Sequence, residues 1–135
     1  QDYFYRRLER FVKHENISKV KFVGYVPDHE LDIVFQNAQC FAFPSLYEGF
    51  GLPPLEAMAK GTPVISSDHD CMREILGNSA HFFDAKNSED ICRAIKEITN
   101  NKKLREELIK KGYQQIEKYS WRRMARETQK IYESV

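Results

Sequence analysis

The residues best suited to chemistry lie between Pro44 and Gly61. Two glycines flank an aromatic, Gly49-Phe50-Gly51, and lead straight into a short helix predicted from about Pro53 to Lys60. This arrangement suits a phosphate. Glycine lets the backbone approach closely, and a helix's first turn offers unpaired N–H groups and partial positive charge. Pro53 and Pro54 lack an N–H, so the remaining donors are those of Phe50, Gly51 and Leu52. The prolines also preset helical φ and fix where the helix starts. Two carboxylates flank the cradle, Glu48 before it and Glu56 inside the helix. Phosphate repels both, but a carboxylate accepts paired hydrogen bonds from vicinal hydroxyls. One on each side of a diphosphate fits a ligand with a sugar at each end. A nucleotide sugar, with its ribose, diphosphate and hexose, has that form. Alone, a Gly-aromatic-Gly segment is a weak signal and Glu56 reads as a solvated helix residue. The conjunction carries the reading.

These residues need elements that position them. Phe4, Leu8, Phe11 and Val12 recur at helical spacing between about Tyr3 and His14, and Gln1-Asp2 reads as the start of that amphipathic helix. Val20-Lys21-Phe22-Val23 predicts a short strand ended by Gly24. Pro27 opens a turn, and Asp28 is placed to cap a helix carrying Leu31, Val34 and Phe35. The run Cys40-Phe41-Ala42-Phe43, stopped by Pro44, predicts a strand buried on both faces. Gly61 ends the following helix, and Pro63-Val64-Ile65-Ser66 gives the next strand. Met72 to Leu76 reads as a turn of helix, and Ala80-His81-Phe82-Phe83 as a further strand.

From Ser88 the pattern is helical. Ile91, Ala94, Ile95 and Ile98 form one stripe, Leu104, Leu108 and Tyr113 a second, and Trp121, Met124, Ile131 and Tyr132 a third, capped by Ser120. Strands alternating with helices predict an α/β fold, a Rossmann-like parallel sheet with helices on both faces. About four strands are visible, so residues 1–135 read as one partial nucleotide-sugar-binding domain, trimmed at its front. In such sheets ligands bind outside the carboxyl ends of the strands. The loop after Phe43 emerges there.

Composition excludes little. The chain is 41% hydrophobic and 30% charged, and 21 Lys and Arg nearly cancel 20 Asp and Glu. Nothing in that balance demands a nucleic acid or an anionic membrane. Cys40, Cys71 and Cys92 are odd in number and widely spaced, which favours reduced thiols in the cytoplasm. No stretch approaches a membrane span, the N-terminus lacks a signal-peptide core, and the missing initiator Met suggests a piece of a longer chain.

The run Pro44-Ser45-Leu46-Tyr47-Glu48-Gly49-Phe50-Gly51-Leu52-Pro53-Pro54-Leu55-Glu56-Ala57-Met58-Ala59, followed by Gly61-Thr62-Pro63-Val64-Ile65, resembles the signature of family 4 (group 1) retaining glycosyltransferases. That family includes bacterial mannosyl- and glucosyltransferases, with sucrose-phosphate and sucrose synthases as relatives. Glu48 and Glu56, with seven residues between them, match its E-x7-E element. The likeness extends to Phe22-Val23-Gly24-Tyr25-Val26 and to Tyr119-Ser120-Trp121.

The resemblance implies roles. Glu48 would hold hydroxyls of the transferred sugar, Glu56 the ribose, and the amides at Gly51 and Leu52 the distal phosphate. Gly24, Tyr25 and Val26 would lie along the base. It implies the C-terminal half of a two-domain GT-B enzyme that needs no metal or other cofactor and retains anomeric configuration. The family's basic pair precedes the region where this chain begins, and its acceptor site and catalytic histidine or acid belong to the N-terminal domain. That domain would be this chain's partner, with any peripheral contact at the inner face of a membrane made through it. The piece alone is therefore expected to be inactive. Where members often carry Pro-Glu, this chain has Arg73-Glu74, so Arg73 is a candidate positive charge near the cleft. The last helix would reach back to the other domain, leaving apolar surface exposed.

Two rival readings stay open, a nucleotide-sugar epimerase and a non-catalytic nucleotide-sugar-binding module. His69 and Asp70 are weighed as ligand contacts and read as solvated. His14, His29 and His81 share no metal-ligand spacing, and Ser45 has no readable histidine partner.

Overall fold

A computed structural model describes residues 3–134, so Gln1 and Asp2 lie outside the described residues. The chain forms two compact units, residues 1–31 and 32–135.

In the first unit, α1 (Tyr3–His14) buries none of its residues. Tyr5 meets Phe22 edge-on, with ring centroids 5.5 Å apart. The strand expected at Val20–Val23 does not form. A strand needs a neighbouring ladder for its N–H and C=O groups, and this segment has none among the described residues. Val20 and Val23 are 48% and 65% exposed. Gly24 turns the chain at φ 68°. The Pro27 carbonyl accepts the amides of Glu30 and Leu31 at 2.9 and 2.8 Å. Pro27 therefore takes the cap position expected of Asp28. Asp28 instead joins Glu30 in the first turn of α2 (Asp28–Asn37), where negative charge complements the helix dipole.

The second unit holds the sheet. Its strands are β1 (Phe41–Phe43), β2 (Val64–Ser67) and β3 (Ala80–Phe83), all parallel in the order β1-β2-β3. Phe41 pairs with Val64, and Ile65 with His81. The helices are α3 (Leu52–Ala59), α4 (Asp70–Leu76), α5 (Ser88–Asn100), α6 (Lys102–Ile116) and α7 (Trp121–Glu133). Three strands form among the described residues, not four, because 20–23 stays unpaired. β1 was expected to be buried on both faces, but among the described residues it lies at the edge of the sheet and its Ala42 is exposed. The central strand β2 is the one buried along its whole length.

The core gathers on β2 and β3. Ile65, Phe83, Ala94, Ile98 and Leu108 form one cluster, with half-buried Cys40 packed against it. Burial pushes the Cys40 thiol above its ordinary range, in keeping with a small apolar filler. α3 packs on β1 and β2, and α6 lies along α3. Gly112 permits that approach, since a Cβ there would stand 3.1 Å from Met58 Cγ. Asn87 caps α5 by accepting the amides of Glu89 and Asp90, Asn101 caps α6 and Ser120 caps α7.

Polar ties also join elements within this unit. The buried Thr62 hydroxyl donates to the Phe35 carbonyl at 2.6 Å. The Ile75 carbonyl at the end of α4 accepts both the Gln115 side-chain amide at 2.7 Å and the Tyr119 hydroxyl at 2.9 Å. α7 buries none of its residues, and its Trp121 is 70% exposed. Among the described residues no helix is long and apolar enough to cross a membrane.

Ile65 is 0% exposed at the middle of β2. Replacing it with Ala is expected to cost about 3 kcal/mol and lower the melting temperature by roughly 10 °C. A fall under about 3 °C in a calorimetric scan would place the centre of the core elsewhere.

Candidate functional site

The loop from Pro44 to Gly51 leaves the C-terminal end of β1 and enters α3, at the strand ends where parallel sheets bind ligands. It starts pinned. The Ser67 hydroxyl, at the same end of β2, donates to the Ser45 carbonyl, and the Ser45 hydroxyl donates to the Tyr47 carbonyl at 3.1 Å. Ser45 thus has a structural part in the loop.

The loop ends on Gly51, the N-cap of α3, at φ 85° and ψ 61°. Only glycine holds this left-handed conformation without strain. Gly51 is also buried against the next layer, since a Cβ there would stand 2.4 Å from Met72 Cε. Pro53 and Pro54 are the second and third residues of α3, which begins at Leu52, one residue before the expected start. The amides of Phe50, Gly51 and Leu52 have no hydrogen-bond partner among the described residues. Three free donors therefore lie at the positive end of a helix.

Glu48 is half-buried and Glu56 is exposed on α3. Neither carboxylate has a hydrogen-bond or ion-pair partner among the described residues, so both can accept hydroxyl groups. Phe50, Leu52 and Glu56 line a groove of about 930 Å³ together with Tyr119, Trp121 and Met124. Glu48, Phe50, Gly51, Leu52 and Glu56 all belong to the second unit. Gly24, Tyr25 and Val26 belong to the first, where Tyr25 is exposed and Val26 half-buried.

α4 braces the loop from behind. The Cys71 thiol donates to the Phe50 carbonyl with sulfur and oxygen 3.8 Å apart. Burial, and then the Glu74 and Glu48 carboxylates, raise the thiol's pKa, so it stays protonated. Sequence reading had counted Cys71 only as a thiol, and nothing in its spacing marks this contact.

Arg73 does not serve as a free charge. Its guanidinium binds both Asp68 oxygens at 2.6 Å and lies over the Phe82 ring, 4.2 Å from the centroid. That hydrogen-bonded pairing draws the Asp68 carboxyl below its usual range. His69 is less solvated than expected. It is half-buried, and its Nε2 is shielded from water with no partner among the described residues. Asp70 is exposed as the first residue of α4.

Two outcomes follow from this geometry. Gly51→Ala is expected to cost about 1–2 kcal/mol in thermal unfolding, because an L-residue is strained at positive φ. Gly49→Ala should cost less than about 0.5 kcal/mol, since a Cβ there meets nothing within 4 Å. Equal costs would contradict the tight seat at Gly51. By carboxyl NMR, Asp68 should titrate below the ordinary value of about 3.9 and return towards it in Arg73→Leu. A depressed folded pKa stabilises at higher pH, so the pair's contribution is full above that value. It is lost as pH falls through the lowered one. An unchanged Asp68 titration in Arg73→Leu would remove Arg73 as the cause.

Comparison with known proteins places this loop in a family. Residues 1–115 match the family model "Glycosyl transferases group 1". The chain is 34% identical over 113 residues to O-antigen chain mannosyltransferase B of Escherichia coli, covering 84% of this chain and 30% of that protein. It is 31% identical over 122 residues to phosphatidyl-myo-inositol mannosyltransferase of Mycobacterium leprae, covering 88% of this chain and 33% of that one. The chain thus spans about a third of the length of these curated relatives. Sucrose-phosphate synthase of Thermosynechococcus elongatus superposes with a TM-score of 0.85 at 28% identity, covering 96% of this chain and 33% of that one. The C-terminal domain of a group 1 glycosyl transferase from Francisella tularensis superposes with a TM-score of 0.72 at 28% identity, covering 85% of this chain and 61% of that domain. With its α/β fold and its Glu48-to-Glu56 loop, the chain belongs to the group 1 glycosyltransferases and corresponds to the C-terminal domain of their GT-B fold.

Proposed function

We propose that this chain is the donor-binding part of a retaining glycosyltransferase. The protein transfers a hexose such as mannose or glucose from a nucleotide-diphosphate sugar to an acceptor hydroxyl. The single observation that supports this most is the trio of unpaired amides, Phe50, Gly51 and Leu52, set between the unpaired carboxylates of Glu48 and Glu56. Mannosyltransferases among the relatives favour a hexose donor.

In this reading the amides receive the diphosphate, Glu48 the hydroxyls of the sugar to be moved, and Glu56 the ribose. Gly24, Tyr25 and Val26 line the base. The bond from the anomeric carbon to the diphosphate oxygen breaks as a bond to the acceptor oxygen forms. The departing diphosphate carries the developing negative charge. Fixed N–H dipoles at the start of α3 meet that charge without reorganising, and preorganised stabilisation of this kind is the main source of such rate gains. Arg73 contributes no free charge, because Asp68 already neutralises it. Cationic help would come from sequence outside this chain, and no metal is invoked. The acceptor site also lies outside it, so the chain alone transfers nothing. The three free cysteines support a reducing, cytoplasmic setting.

The test is a titration of the full-length gene product with UDP-, GDP- and ADP-sugars and with the matching nucleoside diphosphates. Glu56→Ala should weaken both ligand classes about tenfold or more, because both carry the ribose. Glu48→Ala should weaken the sugar nucleotide by a similar factor, about tenfold, while leaving the nucleoside diphosphate within about twofold. Unchanged affinities in Glu56→Ala would rule out the ribose assignment. Conversion of the sugar nucleotide to an epimer with no acceptor present would replace transfer by isomerisation.

A further inference from the structure

Phe50 holds one end of the donor loop, yet no helix or strand bond fixes it. Its side chain is 39% exposed and its segment is irregular. Its orientation must come from side-chain contacts, and two such contacts reach it from opposite ends of α4. At the start of α4 the Cys71 thiol meets the Phe50 carbonyl. At the far end the Ile75 carbonyl anchors the hydroxyl of Tyr119 at 2.9 Å, and the Tyr119 ring stands edge-on to Phe50. The ring centroids are 5.4 Å apart and the planes cross at 87°, the favoured T-shaped geometry.

The Tyr119 ring is itself immobilised. The carbonyl that holds its hydroxyl also accepts the buried Gln115 amide at 2.7 Å, so a donor from α6 and one from the segment just after it meet on one acceptor. Peptide planarity then carries the constraint forward. The Phe50 carbonyl and the Gly51 N–H belong to one trans peptide plane and point in opposite directions. Holding the Phe50 ring on one side and its carbonyl on the other aims the Gly51 N–H away from α4.

We propose that Tyr119 is a positioning residue for the donor loop: through Phe50 it sets the direction of the Gly51 amide that meets the diphosphate. The proposal rests on the donor reading above. Tyr119 touches no reacting atom in this role. It acts as a strut between the end of α4 and the loop, at the point where α6 gives way to α7.

The test is a double-mutant cycle in the full-length gene product. UDP-glucose, GDP-mannose and ADP-glucose are titrated calorimetrically, the tightest is carried through, and melting temperatures are recorded alongside. Tyr119→Leu and Phe50→Leu should each raise Kd about fivefold, the scale of one aromatic pair. The double variant should be within about twofold of either single, because both remove the same strut. An unchanged Kd in Tyr119→Leu with a lowered melting temperature would make Tyr119 a packing residue and overturn the proposal. So would losses in the two single variants that multiply. If Tyr119→Leu does not fold, Tyr119→Phe frees the ring from Ile75 and replaces it in the cycle. A loss of about twofold that vanishes in the Phe50→Leu background supports the strut, and an equal loss in both backgrounds overturns it. If the unsubstituted protein binds none of the three sugar nucleotides, the donor reading fails, and the proposal falls with it. Binding without coupling defeats the strut alone.

Discussion

A helix that begins with two prolines near its start has given up N–H groups that would otherwise crowd its first turn. In α3 only Leu52, of the first three residues, keeps a donor, and the loop's remaining donors lie at Phe50 and Gly51. This concentration of the free dipole at three adjacent amides is the constraint on which the rest of the site depends. It requires Gly51 to turn left-handed, because an extended or right-handed residue there would carry the chain elsewhere. Met72 packs close beneath that turn, leaving no room for a Cβ, and Ser67 on Ser45 holds the loop at its other end. The buried strand β2 supplies that hold. The sheet therefore matters to function mainly as a rigid mount for a few peptide groups.

Charge in the second unit follows the same plan. The one arginine of α4, Arg73, is bound by Asp68 and laid over Phe82, which stiffens the start of α4 without adding free positive charge. What remains for an anion is the helix terminus, a partial charge fixed in direction. The carboxylates stand to either side and repel phosphate while accepting hydroxyls. A ligand whose negative charge sits between two polyols, such as the proposed nucleotide sugar, suits that alternation.

Much of this was legible in the sequence because it is local. Gly-Phe-Gly-Leu-Pro-Pro states a close backbone approach and a helix start within six residues, and α3 begins within one residue of where that pattern put it. The caps at Asn87, Asn101 and Ser120 are local too, although only Ser120 was read as one. What sequence reading missed was non-local. Val20–Val23 has strand composition, but a strand exists only with a partner. β1 has the apolar run of a central strand, yet it sits at the sheet's edge among the described residues. The braces on the loop, Ser67 to Ser45, Cys71 to Phe50 and Tyr119 to Phe50, join residues far apart in the chain whose types carry no pairing signal. Arg73 is the local exception: Asp68 stands only five residues before it, but residue types alone do not show that the start of α4 turns the two side chains together.

The central claim is that the three free amides at the start of α3 receive a diphosphate. Amide NMR of the isotopically labelled protein, titrated with UDP, GDP and ADP in turn, tests it most directly. The account predicts that one of these ligands shifts the Phe50, Gly51 and Leu52 amide protons downfield together, at ligand concentrations that leave the α5 and α6 amides unmoved. If a nucleotide binds and those three resonances stay in place, the diphosphate lies elsewhere and the account is wrong.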